Sequence, residues 1–315
     1  MAKATRQAFG ESLARLGETH QEIVVLDADL AKSTKSELFA KKYPGRFFEM
    51  GIAEANMIGT AAGLAFTGKI PFLCSFGAFL TGRYDTIRLS VSYANANVRL
   101  IGTHAGVGIG DDGHSQMGLE DITLMRALPQ MAVFQPMDAK ETELLMDYLV
   151  QKHQGPAYVR LTRQNLPDFF PAGAKFEPGK LMEVHSGGAK PEIVFIGSGA
   201  GVAEAVGAAK ELSSQGISAS VWNACSLKPF DEAKTIELAR QAKLVVTVED
   251  HSVIGGLGSC VADALAHVGN HAPLIKVGVQ DTFGESGDPA ELFDKHGISA
   301  KKVAATSAKA LKELR

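Results

Sequence analysis

The residues best suited to chemistry lie in one glycine-rich segment, 103–121 (THAGVGIGDDGHSQMGLED). Besides five glycines, it carries these polar residues: His104, Asp111, Asp112, His114 and Gln116. Glycine lets the backbone approach a ligand closely, and polar side chains can then converge on that ligand. The segment therefore predicts a ligand-binding loop. The alternative is that 111–113 forms a solvated turn and that Asp121 only lies in the first turn of the next helix.

A candidate acid–base residue is Glu54, in the segment 47–62 (FFEMGIAEANMIGTAA). The apolar neighbours of Glu54 follow a helical spacing, which predicts that its carboxylate is partly or wholly buried. Burying a carboxylate is costly unless it is paired, or keeps its proton and donates it to a nearby acceptor. Two alternatives stay open: Glu54 could lie on an exposed helix face, and Glu49, on the strand side of Gly51, competes for the same role.

Two phenylalanines, Phe76 and Phe79, could supply an aromatic wall beside such a site. They are three residues apart in the segment 75–88 (SFGAFLTGRYDTIR) and flank two small residues. At this spacing both rings can project from one face of a loop-to-helix turn. The alternative is that the pair belongs to the hydrophobic core.

An arginine, Arg163, follows a predicted strand in the segment 161–167 (LTRQNLP). A guanidinium group in this position is suited to bidentate binding of a phosphate or a carboxylate. The alternative is an ordinary surface charge.

Two glycine runs in the second half of the sequence are weaker candidates for a ligand site. Both 197–201 (GSGAG) and 254–259 (IGGLGS) follow predicted strands, but neither has the spacing G-x-G-x-x-G, and no lysine follows as in a P-loop. We expect close strand-to-helix packing at both runs, which disfavours a nicotinamide-dependent oxidoreductase. Cys225 and Cys260 lack a paired histidine pattern that would suggest a nucleophile, so we interpret both as structural.

The elements that must position these residues alternate between apolar β-branched runs and helical patterns. This alternation predicts an α/β fold with parallel sheets covered by helices. Strands are predicted at 22–26, 70–74, 98–102, 131–134, 157–161, 192–196, 218–223, 244–248 and 274–277. Helices are predicted at 5–16, 33–42, 53–66, 79–94, 119–127, 138–151, 203–215, 231–241 and 259–268. Ligands of open α/β sheets lie beyond the carboxyl ends of the strands, so catalytic loops should follow strands.

A stretch rich in proline and glycine, 164–188, lacks apolar periodicity and marks a boundary between two domains. We place the first domain at 1–170, the linker at 171–188 and a second, smaller domain at 189–315. A length of 315 residues fits two domains.

Composition excludes several classes of function. The 32 Lys and Arg against 35 Asp and Glu give a formal net charge of −3, so no sequence-wide basic field exists to hold nucleic acid or an anionic membrane. Three scattered cysteines are too few for a disulfide framework or a zinc cluster, which favours a reducing cytoplasm. No apolar run reaches the roughly 20 residues of a bilayer span. We therefore expect a cytoplasmic protein with neither nucleic-acid nor membrane partners.

Taken together, these segments resemble the carboxyl-terminal half of transketolase, a thiamine-diphosphate enzyme. The resemblance runs nearly end to end through ordered motifs: ADLAKST, RFFEMGIAEANM, SFGAF, THAGVGIGDDGHSQMGLED and LTRQNLP, then VEDHSVIGGLGS and DTFGESG. It implies a pyrimidine-binding parallel-sheet domain followed by a transketolase C-terminal-like α/β domain. The family's amino-terminal domain holds the diphosphate and a divalent metal through a GDG motif, which this sequence lacks. The resemblance therefore implies one subunit of a split transketolase.

The resemblance implies cofactor contacts for three residues. Glu54 matches the glutamate that binds N1′ of the aminopyrimidine, where a carboxyl group in a dry pocket favours the reactive imino tautomer. Phe76 and Phe79 match the residues on which that ring stacks. The family's third aromatic residue falls on Gly82, so the wall is incomplete unless Tyr84 swings in.

The resemblance also implies substrate contacts. Asp112 and His104 match positions that contact the sugar hydroxyls and the developing oxyanion. Three residues match the group that receives the sugar phosphate: Arg6, Ser33 and Arg163. Asp29 matches an aspartate near the thiazolium ring at the dimer interface.

Gln116 departs from the pattern of many microbial transketolases, which have a histidine at this position. A glutamine can donate a hydrogen bond to the substrate but cannot shuttle a proton. Proton transfer would then fall to His104, to His114 or to the amine of the cofactor itself. The alternative for His114 is a solvent-exposed loop histidine.

The partners and cofactors implied are a separate N-terminal transketolase subunit, thiamine diphosphate bridging the two chains, and Mg²⁺ or Ca²⁺ held by the partner. The assembly would be a heterotetramer acting on sugar phosphates, and this chain itself would bind no metal. Alternatives are the β subunit of a 2-oxo acid dehydrogenase, a deoxyxylulose-phosphate-synthase-like enzyme, and a non-catalytic scaffold subunit. The first two share the role of Glu54.

Overall fold

The computed structural model describes residues 2–314, which form an α/β protein with two large sheets. The first half contains β1 (Lys3–Ala4), α1 (Thr5–Thr19), β2 (Ile23–Asp27), α2 (Ala31–Thr34), α3 (Glu37–Lys42), β3 (Phe47–Glu49), α4 (Glu54–Phe66), β4 (Ile70–Phe76), α5 (Gly77–Thr81), α6 (Tyr84–Thr86), a π-helix (Ile87–Tyr93), β5 (Arg99–Thr103), α7 (Asp121–Ala127), β6 (Ala132–Phe134), α8 (Ala139–Gln151), β7 (Ala157–Arg160) and β8 (Asn165–Leu166). The second half contains β9 (Met182–His185), β10 (Ile193–Gly197), α9 (Ala200–Ser214), β11 (Ala219–Asn223), β12 (Ser226–Lys228), α10 (Glu232–Gln241), β13 (Leu244–Ser252), α11 (Leu257–Leu265), β14 (Leu274–Val279), α12 (Pro289–Lys295) and α13 (Ala300–Glu313).

The first sheet has seven strands in the order β12-β6-β7-β5-β4-β2-β3. All its pairings are parallel except that of β12 with β6. Strands β2, β5 and β7 are buried along their whole length, which explains their continuous apolar character. Because parallel strands end at one edge, the loops after β2, β4 and β5 meet there and form the candidate site.

The second sheet has five strands in the order β14-β13-β10-β11-β9. Strands β14, β13, β10 and β11 run parallel through three pairings, and β9 joins β11 antiparallel at the edge. Helix α9 packs against α13 and against the strands beside it. The predicted α/β class with two parallel-sheet domains is therefore confirmed.

The prediction of one helix at 33–42 is wrong in one respect, because this segment forms two helices, α2 and α3. Lys35 between them has a positive φ of 71°, which a continuous helix does not allow. The buried carboxylate of Asp27 accepts hydrogen bonds from the hydroxyls of Thr34 (2.7 Å) and Ser36 (2.8 Å). These side-chain bonds compete with helical backbone bonds and fix the break, which apolar spacing does not reveal.

The helix predicted at 79–94 is also interrupted. It is divided into α5, α6 and the π-helix Ile87–Tyr93, with a break at Gly82 and Arg83. Tyr84 begins α6 and packs against the hydrophobic core.

The stretch predicted as a linker, 171–188, includes the strand β9. β9 lies at a sheet edge and is only partly buried, so its residues need no apolar alternation. Another difference is that β12, from the predicted second domain, joins the sheet of the first. The boundaries 1–170 and 189–315 stay a prediction.

No helix within residues 2–314 is both long enough and apolar enough to span a bilayer.

Candidate active site

Glu54 is the first residue of α4, and its side chain is buried, with 4% of its surface exposed. A single hydrogen bond within residues 2–314 holds the carboxylate, from Ser75 Oγ to Oε1 (3.2 Å). Glu49, the competing residue, is exposed at the end of β3 and accepts hydrogen bonds from the backbone amides of Asp29 (2.7 Å) and Gly51 (3.1 Å). The structure therefore favours Glu54 as the carboxylate in a water-poor position.

Three flat rings stack at the carboxyl end of β4, directly after the Ser75 that contacts Glu54. Phe76, which follows Ser75 at the end of β4, stacks on Phe79 at a centroid distance of 5.4 Å and an interplanar angle of 17°. The ring of His104 also stacks on Phe76, at a centroid distance of 3.8 Å. Phe76 is buried and Phe79 is half-buried, so the pair combines core packing with an accessible aromatic edge.

His104 directly follows β5, with a positive φ of 55°. Its Nε2 lies 2.8 Å from Nη1 of Arg6, and its Nδ1 lies 2.8 Å from the hydroxyl of Thr103. A guanidinium group can only donate, so Nε2 must accept and the ring proton lies on Nδ1. Burial, together with the charges of Arg6 and Arg163, lowers the pKa of His104 to about 3. The ring is therefore neutral in the pH range in which most enzymes work.

Two guanidinium groups, those of Arg6 and Arg163, lie close to His104 and form a cationic cluster. Arg6 also donates to the carbonyl oxygen of Ser33 (2.8 Å), and its buried Nε has no hydrogen-bond partner within residues 2–314. Burial, and then the charge of Arg163, lowers the pKa of Arg6. Arg163 donates to the carbonyl oxygen of Ile109 (2.7 Å) and lies 3.3 Å from a carboxylate oxygen of Asp112. Two guanidinium groups with an unused buried donor are suited to a phosphate, sulfonate or carboxylate group.

The loop after β2 supplies the neighbouring wall. Asp29 is exposed and has a positive φ of 62°. Below it, Asp27 is buried and accepts hydrogen bonds from Leu30 N (2.7 Å) and the two hydroxyls described above. Burial raises the pKa of Asp27 to about 6. The loop that carries Asp29 and Ser33 is therefore anchored to the sheet through Asp27.

The far end of the segment 103–121 is more exposed. Asp111 and Asp112 lie in an exposed turn, as the alternative interpretation has it, although Asp112 is also paired with Arg163. Gln116 ends a short 3₁₀ turn and is half-buried. His114 begins that turn, is exposed, and packs against the ring of Phe283 from the second half of the chain (4.6 Å).

The structure brings most of the predicted site residues into two adjoining groups. The first group consists of Glu54, Phe76 and Phe79, and the second of Arg6, Ser33, His104, Asp112 and Arg163. His104 belongs to both, because it stacks on Phe76 and contacts Arg6. His114 and Gln116 lie farther along the loop.

Sequence reasoning missed a buried polar network below the loop. Asp121 accepts hydrogen bonds from Arg160 Nε (2.9 Å) and the hydroxyl of Tyr158 (2.6 Å). Asp250 of β13 accepts hydrogen bonds from two backbone amides of the loop. The signal that could have indicated it is the run Glu249, Asp250 and His251, three ionisable residues that continue an apolar strand.

The glycine runs and the cysteines have the predicted surroundings. A Cβ atom on Gly201 would meet the carbonyl oxygen of Val248, and one on Gly258 would meet the side chain of Lys276, so close packing is confirmed. Cys225 and Cys260 are buried. Burial raises the pKa of the Cys260 thiol to about 12. Within residues 2–314 no three His, Cys, Asp or Glu side chains are grouped as metal ligands.

Comparison with known proteins identifies both halves of the chain. Residues 1–168 match the profile of the family "Transketolase, pyrimidine binding domain", and residues 183–303 match "Transketolase, C-terminal domain". The chain is 42% identical over 306 residues to a Methanocaldococcus jannaschii protein whose name assigns it to the C-terminal section of transketolase, covering 96% of this chain and 94% of that protein. It is 40% identical over 299 residues to the 6-deoxy-6-sulfo-D-fructose transketolase subunit SqwH of Clostridium sp. (strain MSTE9), covering 95% and 91%.

A longer relative and a solved structure complete the comparison. The chain is 36% identical to human transketolase over 303 residues, which are 96% of this chain but 48% of that enzyme. It therefore spans about half of the human protein. The solved structure is described as a split-gene transketolase, an inactive β4 tetramer, with 43% identity, a TM-score of 0.88 and complete coverage of both chains.

Proposed function

The chain belongs to the transketolase family, and from that premise we propose that it is the catalytic C-terminal subunit of a split transketolase. With a separate N-terminal subunit, it transfers a two-carbon ketol unit from a ketose phosphate to an aldose phosphate. The observation that carries the proposal is the buried carboxylate of Glu54, whose hydrogen-bond partner Ser75 directly precedes Phe76 of the stacked Phe76–Phe79 pair.

Thiamine diphosphate fits this first group of residues. Glu54 has a carboxylate oxygen that takes no hydrogen bond within residues 2–314, so it can accept or share a proton with a ring nitrogen. The half-buried face of Phe79 offers a stacking surface, worth about 0.5–1.5 kcal/mol beyond the area that it buries. When bound, thiamine diphosphate supplies a carbon nucleophile that also stabilises carbanionic charge. Because Glu54 is buried, its interaction with a polar group is less screened by solvent than it would be at the surface.

The second group would hold the anionic end of the sugar. Arg6 offers a buried Nε donor, and Arg163 can exchange its contact with Asp112 for the incoming anion. His104 keeps Arg6 in place by accepting its hydrogen bond at Nε2. Asp112, released from Arg163, is then free to accept hydrogen bonds from sugar hydroxyls. Binding energy from the anionic end aligns the reacting carbonyl, because remote contacts can be used to orient the reacting atoms.

The partner subunit is part of the proposal. This chain corresponds to about half of human transketolase, and a similar split-gene transketolase is described as an inactive β4 tetramer. Both observations support a second polypeptide that completes the site and that holds the diphosphate with Mg²⁺ or Ca²⁺. The chain alone would then be inactive, and the assembly would be a heterotetramer.

The test is reconstitution. The chain is combined with an N-terminal transketolase polypeptide carrying a GDG motif, thiamine diphosphate and Mg²⁺, and a ketose phosphate and an aldose phosphate are added. We expect chain-shifted sugars from the mixture and none from either polypeptide alone. Release of CO₂ from pyruvate instead would favour a 2-oxo acid dehydrogenase or a deoxyxylulose-phosphate-synthase-like enzyme. A parallel assay with 6-deoxy-6-sulfofructose distinguishes a sulfonate from a phosphate on the donor sugar. This sugar is chosen because one relative is named as a subunit of a 6-deoxy-6-sulfo-D-fructose transketolase.

A further inference from the structure

The carboxyl edge of the second sheet is filled by the first domain. The chain passes from β10 to β11 and then to β13, but β10 lies between the other two in the sheet, which makes this edge a topological switch point. In open parallel sheets such a point is where ligands bind. Here Val107 and Ile109 of the segment 103–121 pack in one buried cluster with Ala200 and Val248 from that edge. The occupant of the crevice is therefore the loop that carries the candidate substrate residues.

Asp250 makes the polar contact at the base of this loop. Its fully buried carboxylate accepts hydrogen bonds from the backbone amides of Val107 (2.7 Å) and Gly108 (3.2 Å). Gly106 has a positive φ of 86°, and a Cβ atom there would meet the Asp250 carboxylate. Only glycine allows the loop to approach this carboxylate so closely.

Arg160 connects Asp250 to the other end of the loop. Its Nη2 donates to the carbonyl oxygens of Asp250 (2.8 Å) and Gly118 (2.8 Å). Gly118 in turn accepts a hydrogen bond from the amide of Gly106 (2.9 Å). Both ends of the segment 106–118 are therefore fixed by one buried pair of residues.

The tip of the loop rests on a second-domain segment, 283–289. The ring of His114 packs against Phe283, and a Cβ atom on Gly113 would meet the hydroxyl of Ser286. Met117 lies against Gly284 in the same way.

We propose that the second domain serves the reaction by clamping the substrate loop, with Asp250 as its positioning residue. A loop with five glycines loses more conformational freedom on ordering than other sequences do, so external contacts must select one conformation. Asp250 selects it at the base, and Phe283 supports it at the tip. The effect on the KM for the ketose phosphate rests on the proposed function, whereas the effect on loop order does not.

The test replaces Asp250 by asparagine. In Asp250→Asn one acceptor oxygen becomes an amide NH₂ that faces a backbone N–H. At least one of the two hydrogen bonds to the loop amides of Val107 and Gly108 is therefore lost. Hydrogen exchange of the whole chain, measured by mass spectrometry, should rise at least about tenfold at residues 106–108. In the reconstituted enzyme the KM for the ketose phosphate should rise about tenfold, while kcat changes by less than about threefold, because saturating substrate closes the loop again.

Asp231→Asn is the matched control. Asp231 is also a buried carboxylate of the second domain. It accepts hydrogen bonds from the backbone amides of Leu181 (3.1 Å) and Lys234 (3.2 Å), and none of its hydrogen bonds goes to the loop. It should lower stability without changing exchange at 106–108. Equal exchange at 106–108 in the two variants would overturn the clamp.

A second variant guards against misfolding of Asp250→Asn. Phe283 is 75% exposed, so Phe283→Ala leaves the core intact and removes only the support of the loop tip. In Phe283→Ala, hydrogen exchange should rise at residues 114–116 while the Tm stays unchanged. Unchanged exchange at these residues would also contradict the clamp. If loop exchange responds as expected but the wild-type pair transfers no ketol unit, the proposed function fails while the clamp stands.

Discussion

At the scale of single residues, burial separates two glutamates that are five positions apart. Glu54 is buried and is held by one hydroxyl, whereas Glu49 is exposed and holds two backbone amides. The backbone causes the difference, because β3 ends at Glu49 and α4 begins at Glu54. The same functional group is therefore buried next to one hydroxyl in one place and fixes the backbone of a loop in the other.

The first prediction compares these two carboxylates. Glu54→Gln keeps the size of the side chain and an oxygen for Ser75, but the amide cannot exchange a proton. Activity of the reconstituted enzyme should fall by about 100-fold or more, the range expected for loss of an acid–base group. Glu49→Gln should reduce activity by less than about tenfold, because its contacts are to backbone amides. Steady-state kinetics check both values, and near-normal activity of Glu54→Gln would support the scaffold alternative.

The second prediction concerns the neutral ring of His104. Its folded pKa of about 3 lies below the value near 6.5 of an unfolded histidine. Between these values the unfolded chain binds more protons, so the contribution of His104 to stability is lost as the pH falls. From about pH 7.5 to about pH 5 the wild type should lose roughly 2 kcal/mol of unfolding free energy relative to His104→Asn. Urea unfolding at the two pH values measures the difference, and equal losses would show that the ring is protonated in the folded chain.

The candidate residues themselves were largely predictable from sequence, because reactive side chains follow strands whose apolar character is plain. Glu54, Phe76 and Arg163 all lie at or beyond strand ends of the first sheet. The Asp250 contact was not predictable, since it joins residues 143 positions apart and depends on how two sheets pack. Nothing local distinguishes a carboxylate that binds a distant loop from one that extends a strand.

At the scale of elements, the inner strands follow from sequence and the edge strands do not. β2, β5 and β10 are buried on both faces, so their continuous apolar runs predict them within a residue or two. β9 and β12 are short, partly polar edge strands that depend on a neighbour rather than on their own pattern. Helix breaks at Lys35 and Gly82 were missed for a similar reason, because side-chain hydrogen bonds and local packing override apolar spacing.

The third prediction concerns β12, which ties the second half of the chain to the first sheet. The Lys228 amine donates to the carbonyl oxygens of Arg126 (2.9 Å) and Leu128 at the C-terminal end of α7. Lys228→Met keeps the aliphatic stem but leaves these carbonyls without a cation, which should cost about 1 kcal/mol. Urea unfolding measures the loss. Lys301→Met, on the exposed side of α13, is the control and should change stability little; an equal effect of both substitutions would contradict a capping role for Lys228.

At the scale of the whole molecule, each half of the chain contributes residues to the sheet or the core of the other half. β12 pairs with the first sheet, and the segment 103–121 contributes Val107 and Ile109 to the core of the second. Arg160 and Asp121 form a fully buried ion pair directly below this junction. Arg160 also donates to the carbonyl oxygen of Asp250 in the second half, so this buried group contacts both halves, and its removal would leave the Asp121 carboxylate uncompensated. A loop built between two domains in this way can be both glycine-rich and well ordered.

The molecule also has large apolar side chains that no other part of the described chain covers. Four large apolar side chains on or next to α4 and the π-helix are exposed: Ile52 (85%), Phe66 (65%), Leu89 (58%) and Tyr93 (87%). The two helices contact each other, so these side chains lie on adjoining elements. Several large exposed apolar side chains on adjoining elements are typical of protein interfaces. Ile52 is also two residues from Glu54, which places this surface next to the candidate site.

The last prediction is that this surface binds the partner subunit. Ile52→Lys places a charge where an apolar contact is expected, and burying an unpaired charge is costly, so binding to the N-terminal polypeptide should weaken by at least about 100-fold. Because Ile52 is exposed, the Tm of the chain alone should not change. Leu314→Lys, an equally drastic substitution at an exposed site on the C-terminal end of the chain, should leave assembly intact. Sedimentation of the mixed polypeptides measures the complex directly. Normal assembly of Ile52→Lys would place the partner elsewhere and would remove Glu54 from the shared boundary that the proposed cofactor must bridge.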